Sequence, residues 1–384
     1  MHVAGVWVGA VAPYASAPGP YAGPPTSTAS RGAVYIRPTV RRELERVITA
    51  ARAVARDHRA EARLLPRLAL YRISQGRAGN SQDLYRASIA WQPLTLGDVP
   101  GMTAVTERAY FAWHGRELFR GVGEIVDLGA WFGSTTASLA SGLVKNRHPA
   151  ARGRDVHAYD QFLWEPWMDD YAGLAAFGPY RAGDSFEGEF ERVVAPWRDR
   201  IEVHAGDLHE QVWDAGAIEV LLVDAMKSWS LAQRIVTEFY PALVPGAAFV
   251  IHQDFCNAYT PWIHLSTYRL REHLTRVLDV PDSETVVFKL DRTLAGEPDV
   301  LELSRASFDR DEIDRAFAHS LSIADGSKHS GIRASHVMLH VYDGDLDLAQ
   351  TTLTQYERAA QIDPYHARVL RSELDRTLAL TSSA

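Results

Sequence analysis

Residues Glu124–Leu143 read EIVDLGAWFGSTTASLASGL. An apolar run closes on Asp127, the chain turns through Gly129 and Gly133, and a small-residue helix pattern opens at Ser134 and Thr135. Strand, glycine turn and helix in that order are half of a crossover unit, so the stretch predicts a parallel sheet covered by helices. The spacing is nevertheless G-x-x-x-G. It lacks the third glycine of a dinucleotide fingerprint and the Lys of a phosphate-binding loop.

Working outward, the same grammar repeats. DVHAYD, RIEVHAGD, IEVLLVDA and AAFVIHQD read as four further strands, with SLAQRIVTEFYPAL as a helix before the last of them. TAVTERAYFAWHGRELFR, Thr103 to Arg120, reads as one amphipathic helix ahead of the first strand. LSTYRLREHLTRVL predicts a later helix, and ETVVFKLDR an antiparallel edge strand. The fold class expected is therefore α/β: a Rossmann-like, mostly parallel sheet with an antiparallel edge strand, N-terminal helices and a C-terminal helical extension. Beyond about residue 297 only helical patterns remain. Within them GDLDLAQTTLTQYERAAQIDPYHA resembles a tetratricopeptide repeat. One repeat cannot form a solenoid, so a helical hairpin packed on the main domain or on a second copy is expected.

Four regions follow: an Ala/Pro/Gly-rich disordered tail over 1–34, a helical region over 35–100, the sheet domain over 101–295 and the helical extension over 296–384. The tail contains an ASA that resembles a signal-peptide cleavage site, but no Lys or Arg precedes its apolar run. No later segment reaches the ~18 uninterrupted apolar residues of a membrane span. Lys and Arg total 40 against 48 Asp and Glu, a formal net charge of -8, which gives no electrostatic reason to expect nucleic acid. Cys256 is the single cysteine, so no intramolecular disulfide forms and a reducing, cytoplasmic location fits. The expected partner is a small-molecule acceptor, with no nucleic acid and no membrane, and the chain is expected to form a homo-oligomer.

In such sheets ligands bind beyond the carboxyl ends of the strands, where the strand order reverses. Asp127 stands at that end of the first strand, and Gly129 and Gly133 clear side chains from the turn. Ser134 and Thr135 open a helix whose free N–H groups favour an anion. S-adenosylmethionine suits this turn better than a pyrophosphate does, since it carries an amino-acid end and no phosphate. Asp127 can meet its ammonium and the helix start its carboxylate. Asp160, ending YD in the second strand, can accept ribose hydroxyls, with Gln161 beside it. Asp207 ends the third strand near the expected adenine position, Trp131 and Phe132 either wall the methionine side or pack beneath it, and Asp224 closes the fourth strand. Each Asp taken alone can equally cap local structure.

These motifs carry a resemblance. From about Thr103 to Arg292 the chain resembles class I S-adenosylmethionine-dependent methyltransferases. VDLGAWFGSTT, LLVDAMKSW and LVPGAAFVIHQDF are similar to the macrolide-sugar (macrocin-type) O-methyltransferases and, more distantly, to the catechol-type, metal-dependent enzymes. The resemblance implies an O-methyltransferase acting on a hydroxyl of a small molecule, with a glycosylated or polycyclic natural product as the first expectation. It also implies an Asp, a Lys and a second Asp at the fourth and fifth strand ends, here Asp224, Lys227 and Asp254. Asp224 and Asp254 are the candidate ligands for Mg²⁺. Phe255 and Met226 stand where the catechol-type pattern has an Asn and an acid.

Methyl transfer is an in-line displacement that needs the acceptor oxygen aligned and its proton removed. Lys227 and His252 are the two base candidates, with Asp224 the third catalytic candidate. Aromatic residues in YDQFLWEPWMDDYAGL and NAYTPWIHLSTY are expected to wall an acceptor pocket or to be ordinary packing. Two other readings stand beside this one. A nicotinamide-dependent oxidoreductase is disfavoured by the absent third glycine and Tyr-x-x-x-Lys pair. A non-catalytic scaffold would not require the strand-end acids.

Overall fold

The structure, a computed structural model, describes Val99, residues 101–170 and residues 179–382. The tail expected over 1–34 and nearly all of the helical region expected over 35–100 lie outside the described residues, as do residues 171–178 of the aromatic segment.

Helix α1 (Val105–Trp113) leads into β1 (Glu124–Leu128), α2 (Ser134–Leu143), β2 (Val156–Asp160), α3 (Glu187–Val194) and β3 (Ile201–Ala205). Then come β4 (Ile218–Val223), α4 (Trp229–Glu238), β5 (Phe249–His252), α5 (Trp262–Arg269), β6 (Leu274–Asp279) and β7 (Val286–Leu290). The strands form one sheet in the order β3-β2-β1-β4-β5-β7-β6. β7 runs antiparallel to both β5 and β6, while the pairs from β3 through to β5 are parallel. This is the Rossmann-like class I sheet, with the strand order reversing between β1 and β4.

Successive residues of a strand face opposite ways, and the sheet accordingly buries two apolar layers. Val126, Leu128, Leu221, Val250 and Phe288 share one core with Ile235 and Phe239 of the α4 side. Ile125, Val220, Leu222, Ile251 and Val287 share the other with Phe111, Ala137 and Phe190. Strands buried on both faces read as continuous apolar runs, which is why IEVLLV was legible.

Two expected helices end early. Helix α1 stops at Trp113, and His114–Leu118 continues it as a π-helical turn. The helix expected through LSTYRLREHLTRVL stops at Arg269, and its second half is β6. Leu270, Leu274, Val277 and Leu278 recur at helical spacing, but pairing with β7 supplies this backbone with partners in an extended form. The antiparallel strand expected over ETVVFKLDR is β7, and β6 lies outside it at that end of the sheet.

The extension is four helices rather than one hairpin: α6 (Arg310–Ile323), α7 (His329–Tyr342), α8 (Leu346–Arg358) and α9 (Pro364–Ser382). It packs on the sheet domain. Phe317, Ile332 and Leu339 join the core that contains Val250 and Phe288, and Ala258, just past β5, packs with Val337, Met338, Leu353 and Leu370. The closest approach is at Gly331, where a Cβ would stand 2.0 Å from the carbonyl oxygen of Cys256. Gly331→Ala must therefore push α7 off the loop that follows β5. A loss of about 1–3 kcal/mol or more is expected, read as a lower urea midpoint with an unchanged slope. Among the described residues no helix is long and apolar enough to cross a membrane.

Candidate active site

The reversal of strand order places the ends of β1, β2, β4 and β5 together, and the turn after β1 crosses the first residue beyond β4. At Gly129 φ is 92°, and a Cβ there would lie 2.9 Å from the Asp224 carbonyl oxygen. Both the left-handed backbone and the clearance demand glycine. Gly133, at φ 87°, is the N-cap of α2 and has no side chain with which to cap it. The first-turn N–H groups of α2 thus carry the positive end of the helix dipole without a side-chain cap.

Asp127 is fully buried beneath this turn. Its Oδ2 accepts hydrogen bonds from the Thr135 hydroxyl at 2.8 Å and the Thr136 hydroxyl at 2.6 Å. Its Oδ1 is buried with no hydrogen-bond partner among the described residues. Burial lifts the carboxyl to about 6, against the two threonine bonds that favour its ionised form. A buried acceptor left unmade costs about 1–3 kcal/mol, more when charged, so this atom calls for a donor that the described residues do not supply.

The other expected cofactor contacts are distributed around the turn. Asp160 ends β2, and its two oxygens accept from the backbone N–H of Trp131 at 2.9 Å and of Phe162 at 2.8 Å. It therefore fixes the glycine turn to the β2 end; burial raises its pKa despite these bonds. Gln161 is exposed and donates to Glu165 at 2.7 Å. Asp207 lies two residues past β3, exposed, and closes a turn by accepting from the His209 N–H at 2.9 Å. That backbone bond, with the His209 ring, holds its carboxyl below the ordinary value. Trp131 adopts a left-handed φ of 45° and stands with its ring centroid 5.0 Å from Phe132 and 5.8 Å from Trp167. Part of the aromatic segment after β2 is thus packed against the glycine turn.

Several residues at the site gave no sequence signal. Thr136 completes the cradle of Asp127. Thr103 shares a 2.5 Å hydroxyl hydrogen bond with Ser134, and buried Arg108 holds that loop by donating to the carbonyls of Thr103 at 3.1 Å and Val99 at 2.6 Å. The approach to the start of α2 is therefore lined by a segment far away in sequence, which no local pattern can announce.

At the next two strand ends the structure brings together Asp224, Lys227 and Asp254. The Lys227 ammonium donates to Asp224 Oδ1 at 3.0 Å and to Asp254 Oδ2, while Asn257 donates to Asp254 Oδ1 at 3.3 Å. The indole N–H of Trp262 donates to the Met226 carbonyl at 2.6 Å and steadies the Lys227 loop. Lys227 is half exposed and Asp254 nearly buried, their side chains being 52% and 10% accessible. Burial would depress the ammonium, but the two carboxylates outweigh it and hold Lys227 above the ordinary lysine value. Burial also pushes the Asp224 carboxyl well up, with Lys227 opposing and Asp254 adding to the rise. In this arrangement Lys227 is a fixed cation.

His252 is instead packed into the core. Its Nε2 lies 3.1 Å from the Tyr240 hydroxyl, its ring sits edge-on to Phe288, and burial lowers its pKa to about 4. The pair Asp224 and Asp254 does not fit Mg²⁺ as arranged. An ammonium already stands between the two carboxylates, and the flanking Met226 and Phe255 are buried apolar side chains that offer no oxygen ligand.

Fold and site together define a Rossmann-like class I domain with a glycine turn, an unmatched buried acid beneath it and a lysine held between two strand-end carboxylates. Among solved structures the chain is similar to the O-methyltransferase NovP, at 20% identity and TM-score 0.38, over 50% of this chain and 82% of that one. It is similar to CalO1, a methyltransferase in calicheamicin biosynthesis in its SAH-bound form, at 17% identity and TM-score 0.23, over 56% of this chain and 48% of that one. It is also similar to the pyocyanin biosynthetic protein PhzM, at 14% identity and TM-score 0.28, over 66% and 74% respectively. No protein-family model and no curated protein sequence matches the chain. The fold assignment rests on the strand order.

Proposed function

We propose that this chain is an S-adenosylmethionine-dependent methyltransferase acting on a hydroxyl of a small molecule. The observation that carries the proposal is Asp127 Oδ1, a buried acceptor without a donor among the described residues, set beside a helix start without a side-chain cap. An amino acid's ammonium and carboxylate answer those two features together; a phosphate answers only the second. Asp160 and Gln161 then face the ribose, Asp207 the adenine, and Trp131 the methionine chain. The bound cofactor supplies a methyl group made electrophilic by its sulfonium.

The chain's own residues do the rest. Lys227, a held cation, steadies the acceptor oxygen as its proton departs. Asp224, with a carboxyl raised by burial, is better matched to take that proton than an ordinary carboxylate. The half-buried Trp167, beside Trp131 at the glycine turn, offers an aromatic face suited to a glycosylated or polycyclic acceptor. Incubation with methyl-labelled cofactor and a panel of such hydroxylated compounds tests the reading. Label should move to an acceptor and Asp224→Asn should cut kcat; label that never leaves the cofactor across the panel contradicts it.

Asp127 also sets a pH dependence. Its folded value of about 6 exceeds the ordinary 3.8, so the folded chain takes a proton that the unfolded chain does not as pH falls between them. The unliganded protein gains stability from this group on acidification. Cofactor binding runs the other way, because a protonated Asp127 cannot meet an ammonium. Affinity should be flat from pH 6 to about 7.5, where the ligand's amine is still protonated, and fall by up to about tenfold per pH unit below 6, measured by titration calorimetry. An affinity that holds steady down to pH 5 removes Asp127 from the cofactor site.

A further inference from the structure

Away from the strand-end site, on the face of the sheet that carries Tyr159, β2 and β3 present a separate constellation. His157 of β2 stands directly opposite Glu202 of β3, and His204 stands opposite Tyr159. His157 Nδ1 lies 3.0 Å from His204 Nε2 and 3.6 Å from a Glu202 oxygen, and His204 Nε2 lies 3.7 Å from the other Glu202 oxygen. Among the described residues this is the only group of three or more His, Cys, Asp or Glu side chains whose donor atoms come within reach of one ion.

We propose that His157, Glu202 and His204 form a binding site for a divalent transition metal of the zinc class. The two ring nitrogens stand 3.0 Å apart, each lies 3.6–3.7 Å from one of the two Glu202 oxygens, and one donor atom from each residue lies within 4.8 Å of the others, close to the spacing of about 3.3 Å that bonds of ~2.0–2.1 Å impose on a tetrahedral ion. Two imidazoles and one carboxylate are ligands that such ions prefer, and they leave a fourth position for water. The surroundings orient the ligands. Tyr159 stacks flat on His204 with centroids 4.2 Å apart, and Trp213 stands edge-on to His157 at 5.0 Å. Glu124, paired with Arg154, sits 3.9 Å from His157 Nε2, the far ring nitrogen, where a carboxylate behind a liganding histidine belongs. His157 is buried, His204 largely covered and Glu202 more than half exposed, so the site opens to solvent on the carboxylate side.

The location gives the ion a task. β3 is the outermost strand at its end of the sheet, and only Ile201 of its five residues is buried. Little apolar burial fixes its pairing, and an ion bridging His157 to His204 and Glu202 would pin it to β2. Along β2 His157 lies three residues before Asp160, roughly 10 Å at strand rise, so metal and cofactor can bind independently.

The test is titration of the chelator-stripped full-length chain with zinc alone, against a chromophoric competitor, with cobalt as the spectroscopic probe. One equivalent should bind, cobalt should give the strong visible absorption of a low-coordinate N/O site, and the melting temperature should rise with zinc concentration. His204→Ala should weaken zinc binding by at least about 100-fold and exposed Glu202→Gln by about tenfold. Asp254→Asn should leave it unchanged. Far-ultraviolet dichroism confirms that each variant is folded, and Glu202→Gln carries the test should His204→Ala fail to fold. Native-like zinc affinity in folded His204→Ala or in Glu202→Gln, or no saturable binding by the native chain, overturns the proposal. Neither result bears on the cofactor site.

Discussion

Asp127→Asn should weaken binding of S-adenosylmethionine about 10- to 100-fold while leaving the unliganded chain at least as stable as before. The substituted amide oxygen can still accept from Thr135 and Thr136, whose hydroxyls now hold Oδ2. The amide NH₂ then falls where Oδ1 was, and presents a donor to a ligand ammonium that needs an acceptor. A charge-assisted hydrogen bond is worth about 1.5–3 kcal/mol, which converts to this range in affinity. Stability moves the other way because Asp127 is fully buried and burial disfavours its charge. Two signs are thus predicted together: calorimetry gives the affinity and a thermal melt the stability. A variant that melts early yet binds as well as the native chain would show that Asp127 is only a scaffold for the turn.

The second large effect concerns Lys227. Native turnover should be indifferent to EDTA, because the charge of Asp224 and Asp254 is met by an ammonium rather than by a metal. Lys227→Ala removes that cation and leaves two carboxylates facing one another across an open gap. Methyl transfer should fall at least about 100-fold, of the order seen when one oxyanion-stabilising donor is lost. The vacated pair should also begin to bind Mg²⁺ or Ca²⁺, since paired carboxylates with room for waters suit hard cations. Partial rescue of Lys227→Ala by millimolar Mg²⁺ would be a direct signature of the exchange. EDTA-sensitive turnover in the native chain that Mg²⁺, and not zinc, restores would show instead that Lys227 swings aside for a metal.

The parts that were legible in the sequence are those in which a local pattern and the global fold agree. EIVDLG and IEVLLVDA are apolar because they are buried on both faces, and each carries an acid within one residue of its strand's end. The glycines of the turn were readable because left-handed backbone at positions 129 and 133 excludes other residues. Long-range pairing was not readable. The strand at Leu274–Asp279 carries a helical apolar spacing that only its neighbour β7 overrules. The ion pairs of Lys227 depend on β4 and β5 lying side by side, and motif spacing alone left that residue open as a base. His252 was a reasonable base from its strand-end place, but the direction of its side chain, into Tyr240 and Phe288, is a matter of pleat phase. The clasp of Thr103 and Arg108 over α2 joins residues about thirty positions apart and had no local trace.

The central claim is that the glycine turn and Asp127 hold an amino-acid-bearing cofactor. Titration of S-adenosylmethionine into the full-length chain near neutral pH tests it most directly, with Asp127→Asn alongside. The account predicts saturable binding of one equivalent by the native chain and a loss of about 10- to 100-fold in the variant. Absence of saturable binding at millimolar cofactor, or equal affinity in the two proteins, would contradict it.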